Sequence, residues 1–192
     1  MSRVSLNLIA AACENMGIGA NGALPWRLKK EMAYFTTMTT KVKDPNKINA
    51  VIMGRRTWDC IPDKYRPLSK RINIVLTHNV AELKSNVPEG VVVVSSLDEA
   101  INYIESRGEI ESTWVIGGSF TLCVPLATSY ITMDHPNCGM IYLTEIKKKF
   151  DCDTFFPEID KTQFFPVDDE SIPGEEQIEN DICYFYRVYK KF

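Results

Sequence analysis

Short apolar segments rich in β-branched residues alternate with helix-compatible segments along much of this chain. This alternation predicts a mostly parallel central sheet flanked by helices, with ligands bound beyond the carboxyl ends of the strands. The last predicted strand follows a turn-rich region, so we expect it to return antiparallel at the sheet edge. The fold class is therefore α/β, with about eight strands in the sheet. The clearest predicted strands are Val4–Ala12, Asn49–Gly54, Arg71–Thr77, Val91–Ser95, Thr113–Gly117, Met140–Glu145 and Cys183–Tyr189.

The segment Leu28–Thr39 has the periodicity of an amphipathic helix. Its spacing places Leu28, Met32 and Phe35 on one face, with Glu31 beside them. A carboxylate among apolar side chains offers two acceptor oxygens in one plane, which match the paired N–H donors of an amidine-like heterocycle. The alternative is an exposed helix charge that follows two lysines.

Two further helices are predicted. A capping box at Ser96-Leu97-Asp98-Glu99 opens a helix at Leu97–Ser106, and a Gly-Gly pair precedes another that begins at Ser119. The segments Asp134–Gly139 and Asp168–Asn180 are polar or turn-rich, so we expect solvent-exposed loops there.

Length and composition indicate one globular domain over residues 1–192. The chain is 45% hydrophobic and 24% charged, and no Pro- or Ser-rich linker divides it. A net charge of −3 gives no electrostatic footprint for nucleic acid. No apolar run approaches the ~18 residues that span a membrane. We therefore expect small-molecule partners.

The six cysteines and two histidines do not have the spacing of a metal site. Scattered cysteines in a chain of this size favour reduced thiols and a cytoplasmic setting. The competing interpretation is a signal peptide or lipoprotein box, because Arg3 precedes the apolar run Val4–Ala12 and then Cys13. Asn7 interrupts that run, and its period of two is typical of a buried strand.

The chain lacks a G-x-G-x-x-G dinucleotide fingerprint. Two other strand-to-helix junctions can hold phosphates at free backbone N–H groups, Gly54-Arg55-Arg56-Thr57 and Gly117-Gly118-Ser119. Arg56 fits a phosphate ligand and a solvated surface charge equally well.

Short motifs occur along the chain in a fixed order. They are Asn15-Met16-Gly17-Ile18-Gly19, Asn21-Gly22, Leu24-Pro25-Trp26, Val51-Ile52-Met53-Gly54, Thr57-Trp58, Ile61-Pro62, Arg66-Pro67-Leu68, Arg71-Ile72-Asn73, Ile116-Gly117-Gly118-Ser119 and Asp153-Thr154-Phe155-Phe156-Pro157. In this ordered set the chain closely resembles the dihydrofolate reductase family, and its eukaryotic branch in particular. The resemblance implies NADPH-dependent reduction of 7,8-dihydrofolate to 5,6,7,8-tetrahydrofolate in one-carbon metabolism, by a monomeric cytoplasmic enzyme that antifolate inhibitors bind.

By this resemblance Glu31 binds the pterin, Thr144 hydrogen-bonds to its carboxylate and Trp26 holds a water beside it. Arg71 clamps the α-carboxylate of the substrate's glutamate tail. Water rather than Glu31 delivers the proton to N5. The remaining substrate contacts that the resemblance implies are Ile9, Ala10, Met32, Phe35, Ile61, Leu68 and Ile116.

The resemblance also implies how NADPH binds. Arg55 and His78 match positions near the 2′-phosphate, with Thr77 alongside, and Gly117-Gly118 forms a tight joint near the nicotinamide. The segment Met16–Leu24 is the expected lid, with its glycines supplying backbone freedom. The other implied cofactor contacts are Ala11, Ile18, Gly54, Arg56, Thr57 and Ser119.

Two other functions remain open from the sequence. A pyrimidine reductase of riboflavin synthesis has a similar sheet and a nicotinamide cofactor, but it should lack both Trp26 and Glu31. A non-catalytic nucleotide-binding protein could use the same fold, and Leu122, which stands where the family usually has Tyr, favours that reading.

Overall fold

The computed structural model describes residues 4–117 and 132–192. Four α-helices lie wholly within these residues, α1 (Lys29–Thr40), α2 (Arg55–Cys60), α3 (Val80–Lys84) and α4 (Leu97–Glu105), and residues 132–134 are also helical. The strands are β1 (Leu6–Ala12), β2 (Gly17–Gly19), β3 (Ile48–Gly54), β4 (Arg71–Leu76), β5 (Val92–Val94), β6 (Ile110–Gly117), β7 (Cys138–Ile146), β8 (Thr154–Phe155), β9 (Phe164–Val167), β10 (Gln177–Glu179) and β11 (Ile182–Lys191).

The central sheet has the order β10-β11-β7-β1-β6-β3-β4-β5, and β9 also pairs with β11. Every pairing from β7 through β1, β6, β3 and β4 to β5 is parallel. The pairings of β11 with β7, β9 and β10 are antiparallel. The predicted fold class, a mostly parallel α/β sheet with an antiparallel C-terminal edge, is confirmed.

The register brings the carboxyl ends of the parallel strands to one edge of the sheet. Gly54 lies opposite Leu76, Met53 opposite Gly117, and Ala11 opposite Thr144. Loops that leave these strands therefore converge, as expected for a ligand site in an open parallel sheet.

Apolar side chains cover both faces of this sheet. On one face, Leu6 and Leu8 of β1 pack in the same cluster as Leu97 and Ile101 of α4. The predicted cap of α4 is present, because the Glu99 N–H donates to Ser96 Oγ at 3.1 Å. The Glu99 carboxylate accepts from the Ser95 N–H rather than from Ser96, so the second half of the capping box is displaced by one residue.

The loop predictions in the last third of the chain were partly wrong. Within Asp168–Asn180, residues Gln177–Glu179 form β10, and within Asp134–Gly139, the buried Cys138 begins β7. A strand of three residues is too short to show a period of two, so pairing with β11 decides its structure. The helix predicted from Ser119 lies outside the described residues.

No helix in residues 4–117 or 132–192 combines the length and apolar character needed to cross a membrane.

Candidate active site

The Glu31 carboxylate is buried where α1 approaches the centre of the sheet. Only 6% of Glu31 is exposed, and Thr144 Oγ1 donates a hydrogen bond to Glu31 Oε1 at 3.1 Å. Thr144 lies in β7 beside Ala11 of β1, so the sheet fixes the position of this donor. The alternative of a solvated helix charge is therefore wrong for Glu31.

Burial raises the pKa of Glu31 from its ordinary value of 4.5 to about 7. The Thr144 hydrogen bond opposes this rise, whereas the negative charge of Glu179 adds to it. A carboxyl group with this pKa changes from protonated to ionised near neutral pH. Glu31 can therefore bind a ligand as an anion and still be sensitive to small changes in pH.

The Trp26 side chain is buried near the start of the same helix. Its ring packs edge to face on Phe150 with the ring centroids 5.4 Å apart. Its indole nitrogen is buried and has no acceptor among the described residues. A buried donor of this kind normally finds a partner in a ligand or an ordered water, so Trp26 fits the water-holding role that the sequence predicts.

Two tyrosines that the sequence did not single out form an aromatic wall behind Glu31. Tyr34, three residues after Glu31 in α1, stacks on Tyr186 of β11 with centroids 3.9 Å apart. The alternation of Tyr184, Tyr186 and Val188, all buried, could have indicated this inward face.

Most of the predicted apolar contacts lie together. One cluster contains five of these side chains, namely Ile9, Phe35, Ile61, Leu68 and Ile116. Met32 is 46% exposed, so it lies at the rim instead of facing the core. Residues of a strand alternate between the two faces of the sheet, so the Ala10 side chain packs on the other face, in the cluster of Leu6 and Leu8. Only the backbone of Ala10 can face the cluster that contains Ile9.

Arg71, the first residue of β4, is fixed by two hydrogen bonds. Its Nη1 donates to Thr39 Oγ1 at 2.8 Å, and its Nε donates to the Ser69 carbonyl at 2.9 Å. Partial burial lowers the pKa of its guanidinium. No carboxylate among the described residues forms an ion pair with it, so this guanidinium has the setting expected of an anion receptor.

The predicted phosphate residues meet at the edge where β3 and β4 end. Arg55 and Thr57 begin α2, and Thr77 and His78 follow β4 directly. Arg55 is already paired, with Nε 2.8 Å from Asp59 Oδ2 and Nη2 3.6 Å from Glu82 Oε1. A phosphate at this edge would therefore compete with two carboxylates for Arg55.

Gly117 ends β6 against the start of α2. Its φ is +155°, and a Cβ at this position would lie 2.9 Å from Thr57 Oγ1. Both facts require glycine, so the sequence prediction of a tight joint agrees with the structure on this residue. Gly118 and Ser119 lie outside the described residues.

The predicted lid is paired with a second segment of the chain. Within it, β2 pairs with β8, and the Asn21 N–H donates to Asp153 Oδ2 at 2.7 Å. Gly22 has a φ of +76° in the turn, but Gly17 serves another purpose, since a Cβ there would collide with Cys152. Ile18 is half-buried in the middle of β2. Gly17 therefore has a packing reason to be glycine, beside the backbone freedom that the sequence predicts.

Arg56 is exposed and interacts electrostatically with the same Asp153. The pKa of Asp153 is lowered mainly by the Asn21 hydrogen bond, and the positive charge of Arg56 contributes to that shift.

Within residues 4–117 and 132–192, no group of three or more His, Cys, Asp and Glu side chains could hold a metal ion.

Comparisons with known proteins agree with this geometry. A family model described as dihydrofolate reductase matches residues 5–191. The chain is 72% identical to dihydrofolate reductase of Heliothis virescens over 191 residues, which is 100% of both chains. It is 42% identical to dihydrofolate reductase of Drosophila melanogaster over 185 residues, covering 96% of this chain and 97% of the relative.

A solved structure of Schistosoma mansoni dihydrofolate reductase is also similar. It has a TM-score of 0.78 and 36% sequence identity, and the match covers 99% of this chain and 100% of that one. With its buried helix carboxylate, its parallel sheet and full-length similarity of this kind, the chain belongs to the dihydrofolate reductase family.

Proposed function

We propose that this protein catalyses the NADPH-dependent reduction of 7,8-dihydrofolate to 5,6,7,8-tetrahydrofolate, in support of one-carbon metabolism. The observation that carries the proposal is the buried Glu31 carboxylate, held by Thr144 beside an apolar cluster. The similarity to relatives named dihydrofolate reductase supports the same reaction.

Substrate binding begins at Glu31. The ionised carboxylate would accept hydrogen bonds from the 2-amino group and N3 of the pterin, while Thr144 holds one carboxylate oxygen in place. Trp26 would bind an ordered water through its unpaired Nε1. Ile9, Phe35, Ile61, Leu68 and Ile116 would line the channel for the rest of the substrate, with the Ala10 backbone and the rim residue Met32 at its edges.

Several residues assigned to the cofactor lie at the edge where β3, β4 and β6 end, a usual place for a nucleotide in a parallel sheet. A side chain at Gly117 would meet Thr57, so glycine lets the end of β6 lie close to the start of α2. When bound, NADPH supplies the hydride. Its phosphates would lie near Gly54, Arg55, Arg56, Thr57, Thr77 and His78, and its nicotinamide near Ala11, Ile18, Gly117, Gly118 and Ser119.

The protein would then orient the two rings and exclude solvent. The Met16–Leu24 segment, paired with β8, would cover the ring and limit access of bulk water. Glu31 would bind the edge of the pterin that carries N3 and the 2-amino group, which is away from N5. A water would therefore carry the proton to N5.

An assay at 340 nm with NADPH and dihydrofolate tests this proposal directly. We expect NADPH oxidation only when dihydrofolate is present. Oxidation with a 2,5-diaminopyrimidine substrate instead would favour the riboflavin-pathway reductase. Binding of NADPH without turnover of either substrate would favour a non-catalytic protein.

Arg71→Leu should raise KM for dihydrofolate by about 10- to 50-fold, because a charge-assisted fork to the glutamate α-carboxylate is lost. The comparison ligand is a 2,4-diaminopyrimidine inhibitor without a carboxylate, whose Kd should change less than threefold. Equal weakening of both ligands would mean that Arg71 acts through the Thr39 contact and the fold.

Arg55→Ala should lower the ratio of NADPH to NADH efficiency by about tenfold, because one of several phosphate ligands is removed. Glu82→Gln is the matched variant. It removes a carboxylate that pairs with Arg55 and should raise the same ratio. Steady-state kcat/KM with each cofactor measures both effects. An unchanged ratio in Arg55→Ala would assign the phosphate to other residues.

The proposal extends to the form of the protein. We propose a single catalytic domain over residues 1–192 that acts as a cytoplasmic monomer and binds antifolate inhibitors. The described cysteines support a reducing setting, since all five are free thiols.

A further inference from the structure

The tip of the β10–β11 hairpin lies against the start of α1. Glu179 and Ile182 are the closing pair of this hairpin, and the two residues between them, Asn180 and Asp181, have φ values of 52° and 57°. Two successive positive φ values define a type I′ turn, whose twist matches that of the paired strands. The tip is therefore a regular two-residue turn of a β-hairpin. It contacts a helix that lies about 150 residues away in the sequence.

Three hydrogen bonds join this tip to the segment between Trp26 and Glu31. Glu179 Oε1 accepts from the Lys29 N–H at 2.7 Å, and Oε2 accepts from the Lys30 N–H at 2.9 Å. Asn180 Nδ2 donates to the Arg27 carbonyl at 2.8 Å.

The bonds to Glu179 replace a missing helix cap. The N-cap residue of α1 is Leu28, whose side chain cannot accept a hydrogen bond. The first N–H groups of a helix need acceptors, and Glu179 satisfies two of them with one carboxylate. Glu31 is the very next residue after these two, so its place depends on this turn of the helix.

We propose that Glu179 and Asn180 are positioning residues for Glu31. The hairpin tip fixes the first turn of α1, and thereby the place of Glu31, relative to the sheet. The negative charge of Glu179 is then a smaller influence on Glu31 beside burial and the Thr144 hydrogen bond. The hydrogen bonds alone support the positioning of Glu31 by these two residues. Any effect of this positioning on catalysis rests on the function proposed above.

The groups that face Glu31 come from four elements. Thr144 of β7 donates a hydrogen bond, and the phenols of Tyr34, Tyr184 and Tyr186 from α1 and β11 interact with it electrostatically. The pKa of each phenol is raised by burial, so all three are neutral at physiological pH. Glu179 of β10 is the acidic side chain whose charge raises the pKa of Glu31.

The first test is a ¹³C NMR titration of the Glu31 carboxyl in the free protein, with the signal assigned from Glu31→Gln. Glu179→Gln should lower the pKa of Glu31 by about half a pH unit, because a negative charge is removed. The matched control is Glu175→Gln, which makes the same charge change at an exposed residue just before β10 and should leave the pKa of Glu31 within about 0.1 unit. Equal shifts in the two variants, or no shift in Glu179→Gln, would overturn the electrostatic role.

The second test uses Asn180→Gly, which removes the Arg27 bond without straining a residue at positive φ. We expect KM for dihydrofolate to rise about fivefold with kcat nearly unchanged, since the lost contact loosens the placement of Glu31. Asp181→Asn, at the other turn residue, should leave KM unchanged. An unchanged KM in Asn180→Gly would overturn the positioning role of the Asn180–Arg27 hydrogen bond.

The two tests separate the two proposals. If the parent protein does not turn over dihydrofolate, the proposed function fails, while the NMR titration still decides whether Glu179 acts on Glu31. If Glu179→Gln does not fold, Asn180→Gly decides whether the tip positions the site, because this exposed substitution keeps every charge.

Discussion

Glu31→Gln should lower kcat/KM for dihydrofolate by at least about 100-fold near neutral pH. The amide can accept only one of the two N–H donors of the pterin, and its NH₂ group faces the other. The loss of a charge-assisted pair weakens binding by about 1.5 to 3 kcal/mol, and the misplaced ring reduces the rate further.

Steady-state kinetics with NADPH measures this effect. The matched control is Glu105→Gln, an exposed acid in the last turn of α4, which should leave kcat/KM unchanged. A Glu31→Gln enzyme within threefold of the parent would show that this acid does not bind the pterin.

The same substitution should stabilise the fold at alkaline pH. The pKa of Glu31 is about 7 in the folded protein and near its ordinary value of 4.5 in the unfolded chain. Between these values the folded state binds the extra proton, so this group contributes less stability as pH rises through the window. Above pH 7 the ionised, buried carboxylate costs about 3 kcal/mol, and Glu31→Gln removes this cost.

Urea unfolding at pH 8 and pH 5 measures the free energy of unfolding of both proteins. We expect Glu31→Gln to exceed the parent by about 2 to 3 kcal/mol at pH 8, and by much less at pH 5. Glu105→Gln again serves as the control and should differ little at either pH. A Glu31→Gln protein that is less stable than the parent at pH 8 would contradict the burial of an ionisable carboxylate as the cause.

These two results together would show that Glu31 lowers the stability of the fold at alkaline pH but is needed for substrate binding. The chain keeps Glu31 in a place where its charge is unfavourable, beside one hydroxyl donor and a wall of aromatic rings. A bound pterin would supply the missing donors. Active sites commonly retain such locally unfavourable groups because the ligand interaction requires them.

Local sequence signals predicted the elements that bear the site. The period of two in β1 and β11, the 3.6-residue pattern around Glu31 and the Ser96 cap each act over a few residues, so they can be read directly. Motif resemblance then assigned Glu31, Thr144 and Trp26 to one site. The structure brings Glu31 and Thr144 into contact, although 113 residues separate them.

Other features depended on contacts that no local pattern encodes. Met32 follows the same helical period as Leu28, yet Leu28 is buried and Met32 is 46% exposed. Gly17 was predicted to supply backbone freedom, and the approach of Cys152 from a distant segment adds a packing reason for glycine that the sequence did not indicate.

What the sequence by itself determined is therefore the order of the main strands and of the helices α1 and α4, because periodicity and caps are local properties of the chain. Motif resemblance, rather than spacing, identified Glu31 as the acid of the site. Beyond the Thr144 contact, which the resemblance implied, only the tertiary structure decided which groups surround the site. The cap from Glu179, the Tyr34–Tyr186 stack and the Arg55–Glu82 ion pair join distant segments. Their geometry is fixed by sheet pairing and burial, which act between residues far apart in the sequence.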